Sequence, residues 1–267
     1  MNEKIEAYKK IFDSVRNNID KCNADRLGES GADFYLRMYN SDPDLYYKKV
    51  LSLGFENKKH VLDLGCGVGQ WSFCLASCNE RVTAMDVSSE RVEIVNELKI
   101  LSNVNNLEAK SGSGEDIPIE DESFDAVFCF AVMHYLDTRK LLCEAYRVLE
   151  TGGLLYIIGK DVGGYLYFLE QNPGATNYYS PEKSAIDAFI NTYFLKRFNQ
   201  LPDYTDNTDR IVSCEEFCAL ASEIGFEVIA YGPEGSVSLD ERLSPVNYFT
   251  TEYKGYPKCY EVVIKKK

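Results

Sequence analysis

Three glycines follow a short apolar run in Val61-Leu-Asp-Leu-Gly-Cys-Gly-Val-Gly-Gln70. Glycine lets the backbone take left-handed geometry and approach a ligand with no Cβ in between. An apolar strand that stops at Gly65, Gly67 and Gly69 therefore reads as a strand-to-helix turn shaped for a nucleotide-like molecule. The plain alternative is a tight connection with no ligand. Two features separate the segment from a dinucleotide-binding turn. Its third glycine comes one residue early, and Asp63 stands just before the glycines. A carboxylate there suits a cationic ligand group, whereas a pyrophosphate would be repelled. Asp86, 21 residues beyond Gly65, ends the next apolar run and can accept both hydroxyls of a ribose. It can equally cap the helix opening in Asp86-Val-Ser-Ser.

General bases are scarce. Of two histidines, His60 opens the first strand and so lies away from the carboxyl-end rim where α/β sheets bind ligands. His134, in Phe130-Ala-Val-Met-His-Tyr135, follows the fourth strand and falls on that rim as a candidate base, its alternative being a packing role. Tyr135, Asp137 and Tyr165 are weaker rim candidates. Nine cysteines form no paired framework. Cys74 and Cys78, like Cys214 and Cys218, are four apart without histidines at zinc-binding spacing. They read as reduced thiols filling core space. No acidic cluster follows the fourth strand, so no catalytic metal is expected.

Alternating strands and helices must position these groups. Apolar runs at 60–64, 81–86, 107–110, 125–130 and 154–158 predict strands, and helical periodicity predicts helices at 70–78 and 90–101. A further helix, capped by Asp137 and ended by Gly152-Gly153, buries Leu141, Leu142, Ala145, Val148 and Leu149. Short connections in this order imply a mostly parallel sheet with helices on both faces. Residues 1–55 read as a helical cover, with helices around Ile5 to Val15 and Tyr46 to Leu53 and a loop near Gly28. Residues 56–160 form the ligand-binding core. The stretch 161–212 breaks the rhythm, is rich in Tyr and Phe, and is helical near 184–198; most of its rings are expected to be its own core and the rest to wall a pocket. Residues 213–267 complete the sheet: a Ser213/Glu216 capping box opens a helix ended by Gly225, and strands at 226–231 and 260–264 make a hairpin with a long loop. The whole is one domain.

A third motif runs from Ser111 to Val127: an acidic turn, a proline, then Ser-Phe-Asp entering an apolar strand. With Arg147-Val-Leu-Glu-Thr-Gly-Gly-Leu-Leu155, four motifs stand in order, and residues 58–160 resemble the class I S-adenosylmethionine-dependent methyltransferases. The resemblance implies a Rossmann-like fold of seven strands and S-adenosylmethionine as cofactor, leaving as S-adenosylhomocysteine. It implies that Asp63, Gly65 and Gly67 line the methionine end, with Cys66 and Gly69 in the same turn. It places Asp86 on the ribose, Val87 against the adenine, and Gly114 and Glu115 at the adenine edge. Ser113 stands where the family has an acid. Phe130 contributes backbone to the cofactor amine, Tyr35, Arg37 or Tyr39 touch the cofactor from the amino-terminal cover, and the insert 161–212 covers the acceptor.

The chain has 267 residues, 45% of them hydrophobic, and a net charge of −13. Such acidity argues against a nucleic-acid partner, which needs a basic face, and favours a small-molecule acceptor. The charged amino terminus lacks an apolar signal core and no run is long enough to span a bilayer, which predicts a cytoplasmic protein. The leading expectation is methyl transfer to an oxygen or nitrogen of a small molecule by in-line displacement. An RNA or protein methyltransferase, a non-catalytic cofactor-binding protein and a nicotinamide-dependent dehydrogenase are the alternatives; glycine spacing and Asp63 disfavour the last.

Overall fold

The computed structural model describes residues 2–22, 39–177, 179–205, 207–248 and 252–267. Tyr35, Arg37, Tyr178 and the loop near Gly28 lie outside the described residues. Among the described residues, the helices α1 (Asn2–Asn18) and α2 (Pro43–Ser52) come before the first strand. Pro43 at the first turn and Asp42, whose side chain accepts the Asp44 N–H, start α2 sharply. Then come β1 (His60–Leu64), α3 (Gln70–Ala76), β2 (Arg81–Asp86), α4 (Ser89–Leu101), β3 (Leu107–Ser111), β4 (Phe124–Phe130), α5 (Thr138–Val148) and β5 (Leu149–Lys160). Two insert helices follow, α6 (Val162–Gln171) and α7 (Pro181–Phe198), then α8 (Cys214–Ile224) and β6 (Phe226–Pro233). A small hairpin, β7 (Glu252–Tyr253) with β8 (Tyr256–Pro257), precedes β9 (Cys259–Lys266).

Seven strands form one sheet in the order β3-β2-β1-β4-β5-β9-β6. The first five are parallel, and β9 runs antiparallel between β5 and β6. Strand order reverses between β1 and β4, which opens the crevice where such sheets hold ligands. Both faces are covered. Val61, Phe128, Tyr156 and Val263 pack on one side with Tyr8, Phe12, Trp71, Phe73 and Leu98 from α1, α3 and α4. Leu62, Val127, Leu155 and Ile264 pack on the other with Leu141, Leu142, Ala145, Phe217 and Ala221 from α5 and α8. Among the described residues, no helix is long and apolar enough to cross a membrane.

The strands and the Ser213/Glu216 capping box stand as the sequence pattern implies. Two expectations do not hold. Gly152-Gly153 do not end α5: the chain enters β5 at Leu149 and both glycines lie within that strand, where the pairing register with β4 shifts. The sequence pattern does not show α6, which opens on Gly163-Gly164; carbonyls of Tyr256 and Lys258 lie 2.3 and 2.5 Å from where Cβ atoms on these glycines would be. Most insert rings are not core either: Tyr165 is fully buried, whereas Tyr193 is 60% and Phe198 52% exposed.

The amino-terminal helices are tied to the carboxyl-terminal strands by buried charge. Lys49 Nζ of α2 donates to Glu261 Oε2 at 2.5 Å, Glu234 Oε1 at 3.0 Å and the Val246 carbonyl at 2.8 Å. Tyr156 Oη donates to Glu261, and the N–H groups of Gly235 and Val237 complete its carboxylate. Removing the cation would strand two carboxylates away from water. We expect Lys49→Met to lower unfolding free energy by about 3–5 kcal/mol. Urea unfolding checks this, and a loss under about 1 kcal/mol would contradict it.

Candidate active site

The glycine turn leaves β1 at its carboxyl end. Gly65, Gly67 and Gly69 have φ of 76°, 55° and 88°, the left-handed region that other residues occupy only at a cost. Space demands glycine as well as conformation. A Cβ on Gly65 would lie 2.2 Å from Val132 Cγ2. The turn is anchored to β2, because the Gly65 and Cys66 N–H groups donate to the Met85 carbonyl. Tyr39, fully buried, donates its hydroxyl to the Val68 carbonyl and braces the turn from the amino-terminal side.

Asp86 ends β2 beside this turn and is 5% exposed. Oδ2 accepts the Gly67 N–H at 3.0 Å and Oδ1 the Ser88 N–H at 3.0 Å, with Arg91 Nη1 at 3.4 Å. Ser88, not Asp86, caps α4 by accepting the Arg91 N–H. Each oxygen keeps lone-pair capacity beyond its backbone bond. Val87, the next residue, is 70% exposed, an apolar surface held open at the rim. These features fit an adenosine moiety: a fixed double acceptor, an apolar platform and a backbone turn free of Cβ atoms.

Asp63 lies deeper. It is buried under α3 and accepts the Ser72 hydroxyl at 2.5 Å. Burial pushes its carboxyl up to about 7, against the Ser72 bond that lowers it, with Asp86 adding repulsion. Gly114 is a packing glycine, since a Cβ would meet Leu136 Cδ1 at 2.9 Å. Glu115 turns to the start of α5, accepting the Asp137 N–H at 2.7 Å and Lys140 Nζ at 3.3 Å.

Past β4 the chain bends abruptly. Ala131 takes φ of 59°, a left-handed conformation costing a residue with Cβ about 1–2 kcal/mol. The bend lays Val132 over Gly65 and starts the short 3₁₀ turn Met133–Tyr135 that carries His134. His134 is 4% exposed, its Nδ1 lacks a hydrogen-bond partner, and burial, then Lys160, drives its pKa well below the usual imidazole value. It is therefore neutral at physiological pH, as a base must be. His60 sits at the other end of β1, between the Ser123 carbonyl and Thr83 Oγ1.

Sequence reasoning missed the groups around Phe130. Trp71 packs against it at a tilt, 4.5 Å between ring centroids, Tyr248 meets it edge-on at 5.4 Å, and Tyr46 closes the group against Trp71 at 4.7 Å. Trp71, one residue past the glycine turn, could have been noticed; Tyr46 and Tyr248 come together only through the fold. Lys160 and Asp209 were also missed. Lys160 ends β5 on the ligand rim, a position that could have drawn attention, but Asp209 lies in a polar loop with no pattern of its own.

With this geometry in place, comparison with known proteins is decisive. Residues 62–157 match the methyltransferase domain family. That segment is a methyltransferase domain, and it carries the glycine turn and Asp86. It is 24% identical over 233 residues to the demethylmenaquinone methyltransferase of Listeria monocytogenes, covering 85% of this chain and 90% of that one. It is 27% identical over 132 residues to the uncharacterized methyltransferase YcgJ of Bacillus subtilis, a match spanning 49% of this chain and 45% of that protein. In fold it resembles geranyl diphosphate methyltransferase in complex with S-adenosylmethionine, with a TM-score of 0.56 at 14% identity over 84% of this chain and 85% of that one.

The raised Asp63 value has a consequence for stability. Between pH 3.8, its ordinary value, and about 7, the folded methyltransferase holds a proton that the unfolded chain has released. The contribution of this site is complete below that window, falls as pH rises through it, and is flat above. Urea midpoints across pH 4–8 should show this decline, and Asp63→Asn should remove about one proton's worth of slope. An unchanged slope in the variant would contradict the assignment.

Proposed function

We propose that this methyltransferase moves a methyl group to an oxygen or nitrogen of a small-molecule acceptor by in-line displacement. The observation that carries the reading is the contact of Val132 with the Gly65 backbone. Through it the turn after β4, with His134 and the neighbouring insert helices, shares one rim with the glycine turn and Asp86. S-adenosylmethionine, when bound, supplies an electrophilic methyl carbon on a sulfonium.

The chain's own residues bind, orient and exclude water. Asp86 accepts the ribose hydroxyls and Val87 supports the adenine face. Gly65, Cys66, Gly67 and Gly69 offer backbone to the methionine end, with Asp63 beneath them and the Phe130 backbone opposite. Gly114 and Glu115 close the adenine edge through their backbone, since the Glu115 side chain is committed to α5. Residues 1–55 form the amino-terminal cover over the 56–160 core, the insert 161–212 holds the acceptor, and 213–267 complete the sheet. Alignment of the acceptor with the carbon–sulfur bond is the main catalytic task.

A net charge of −13 supports a small acceptor over a nucleic acid. The Listeria relative, named for a small-molecule acceptor, points the same way. Nine free cysteines suit a reducing cytoplasm.

Incubation with methyl-labelled S-adenosylmethionine and separate metabolite, RNA and protein fractions tests the proposal. Label should enter the metabolite fraction at least tenfold above the others. Label confined to RNA or protein would overturn the acceptor class, and S-adenosylhomocysteine binding without transfer to any fraction would favour a non-catalytic binding protein.

A further inference from the structure

Where β4 and β5 end, three buried polar groups from separate parts of the chain converge. Lys160 is the last residue of β5, two beyond Ile158, which pairs with Phe130 at the end of β4. Its side chain is 13% exposed and its Nζ lies over the rings of Tyr165 and Phe168, 4.8 and 4.5 Å from their centroids. The nearest carboxylate is Asp209, with Oδ2 at 3.9 Å, too far for a hydrogen bond. Asp209 is fully buried and its Oδ2 accepts the Ser184 hydroxyl at 2.9 Å, while Oδ1 lacks a partner. His134 belongs to the same group, since its carbonyl accepts the Arg210 N–H and its imidazole feels the Lys160 charge. Its Nδ1 is also unpartnered.

Buried polar atoms in folded proteins almost always have partners. Here a cation with donors to spare and two unmet atoms, a carboxylate oxygen and an imidazole nitrogen, gather where β4 and β5 end. One ligand group satisfies them together: a hydroxyl, whose oxygen accepts from Lys160 and from a His134 Nδ1–H and whose proton is given to Asp209. A protonated amine would meet Lys160 as a like charge.

We propose that the acceptor is an acidic hydroxyl of phenol or enol type, deprotonated by Asp209 with Lys160 stabilising the oxyanion. This deepens the function proposed above and rests on it. The hydroxyl proton passes to Asp209 Oδ1, the oxygen bonds the methyl carbon, and the carbon–sulfur pair stays on sulfur, leaving a methyl ether and S-adenosylhomocysteine. His134, neutral, donates its Nδ1–H to the developing oxyanion as a second hydrogen bond beside Lys160.

The electrostatics agree. Burial raises the Asp209 carboxyl, opposed by Lys160 and Ser184 and assisted by Asp187, which makes it the better base. Burial lowers the Lys160 ammonium, opposed by Asp209 and Cys259. Tyr165 and Tyr179 also face Asp209, and Arg210 reaches Asp137 at 3.8 Å on the outer side.

The probe is 4-nitrophenol, whose anion is coloured, added to protein saturated with S-adenosylhomocysteine. Calorimetry first establishes that this product binds. The bound dye should ionise at least one pH unit, tenfold in equilibrium, below the free dye. Lys160→Met, which keeps length and apolar packing, should abolish the shift while leaving S-adenosylhomocysteine affinity unchanged. In turnover with S-adenosylmethionine, Asp209→Asn should slow transfer to the weakly acidic 4-methylphenol by about 100-fold or more. Transfer to 4-nitrophenol already ionised at alkaline pH should stay within a few-fold. Absence of dye binding, an unshifted dye, a shift that survives Lys160→Met, equal losses for the two phenols, or preference for matched anilines would each overturn the hydroxyl assignment. Such a failure in protein that does bind S-adenosylhomocysteine leaves the methyltransferase reading standing, whereas no product binding overturns both.

Discussion

The carboxylate of Asp86 and the backbone of the glycine turn hold each other in place. Gly67 can donate to Asp86 only because its φ is positive, and Asp86 is fixed only because Gly67 and Ser88 bond its two oxygens. The Met85 carbonyl, one residue earlier, receives the first two N–H groups of the turn. A buried carboxylate is costly unless donors meet its oxygens. With them it stays a preorganised acceptor at the point where strand order reverses. The rest of the site is arranged around this pair: Tyr39 braces the turn from one side and Val132 leans on it from the other.

That constraint explains where strain is tolerated. Ala131 adopts a left-handed conformation because Val132 must reach the Gly65 backbone, and the β4–β5 core beneath is packed tightly enough to enforce it. The Lys49 network performs a related task at longer range. It fastens α2 to the loops around Glu234 and β9, which brings Tyr46 and Tyr248 against Trp71 and Phe130. An aromatic group at one side of the rim and the Lys160–Asp209–His134 group at the other thus rest on elements far apart in sequence. Methyl transfer needs little from the protein besides alignment and dryness, and both are consequences of how these elements converge.

Local structure was readable where one segment carries its own pattern. Strands β1 and β2, the glycine turn and Asp86 are contiguous enough for periodicity and glycine placement to reveal them. The Ser213/Glu216 capping box is equally local. Legibility failed where contact is tertiary. Nothing in the linear pattern marks Gly163-Gly164 as the start of α6, where the carbonyls of Tyr256 and Lys258 approach closely. The insert aromatics read as core, yet Tyr193 and Phe198 face outward because α7 packs through the small residues Ala185 and Ala188 beside Tyr165. Asp209 is anonymous in its loop and acquires meaning only beside Lys160. The Glu115 side chain accepts the Asp137 N–H, a bond that no linear pattern displays.

The central claim is that the Asp86 carboxylate and the glycine turn grip the two hydroxyls and the sulfur-bearing end of one adenosyl ligand. Isothermal titration of S-adenosylhomocysteine into the wild-type chain and into Asp86→Ala measures this most directly. Saturable binding with one site, weakened by at least about 30-fold in the variant, equivalent to roughly 2 kcal/mol, is the result the account predicts. Absence of binding heat in the wild type, or equal affinity in both proteins, would contradict it.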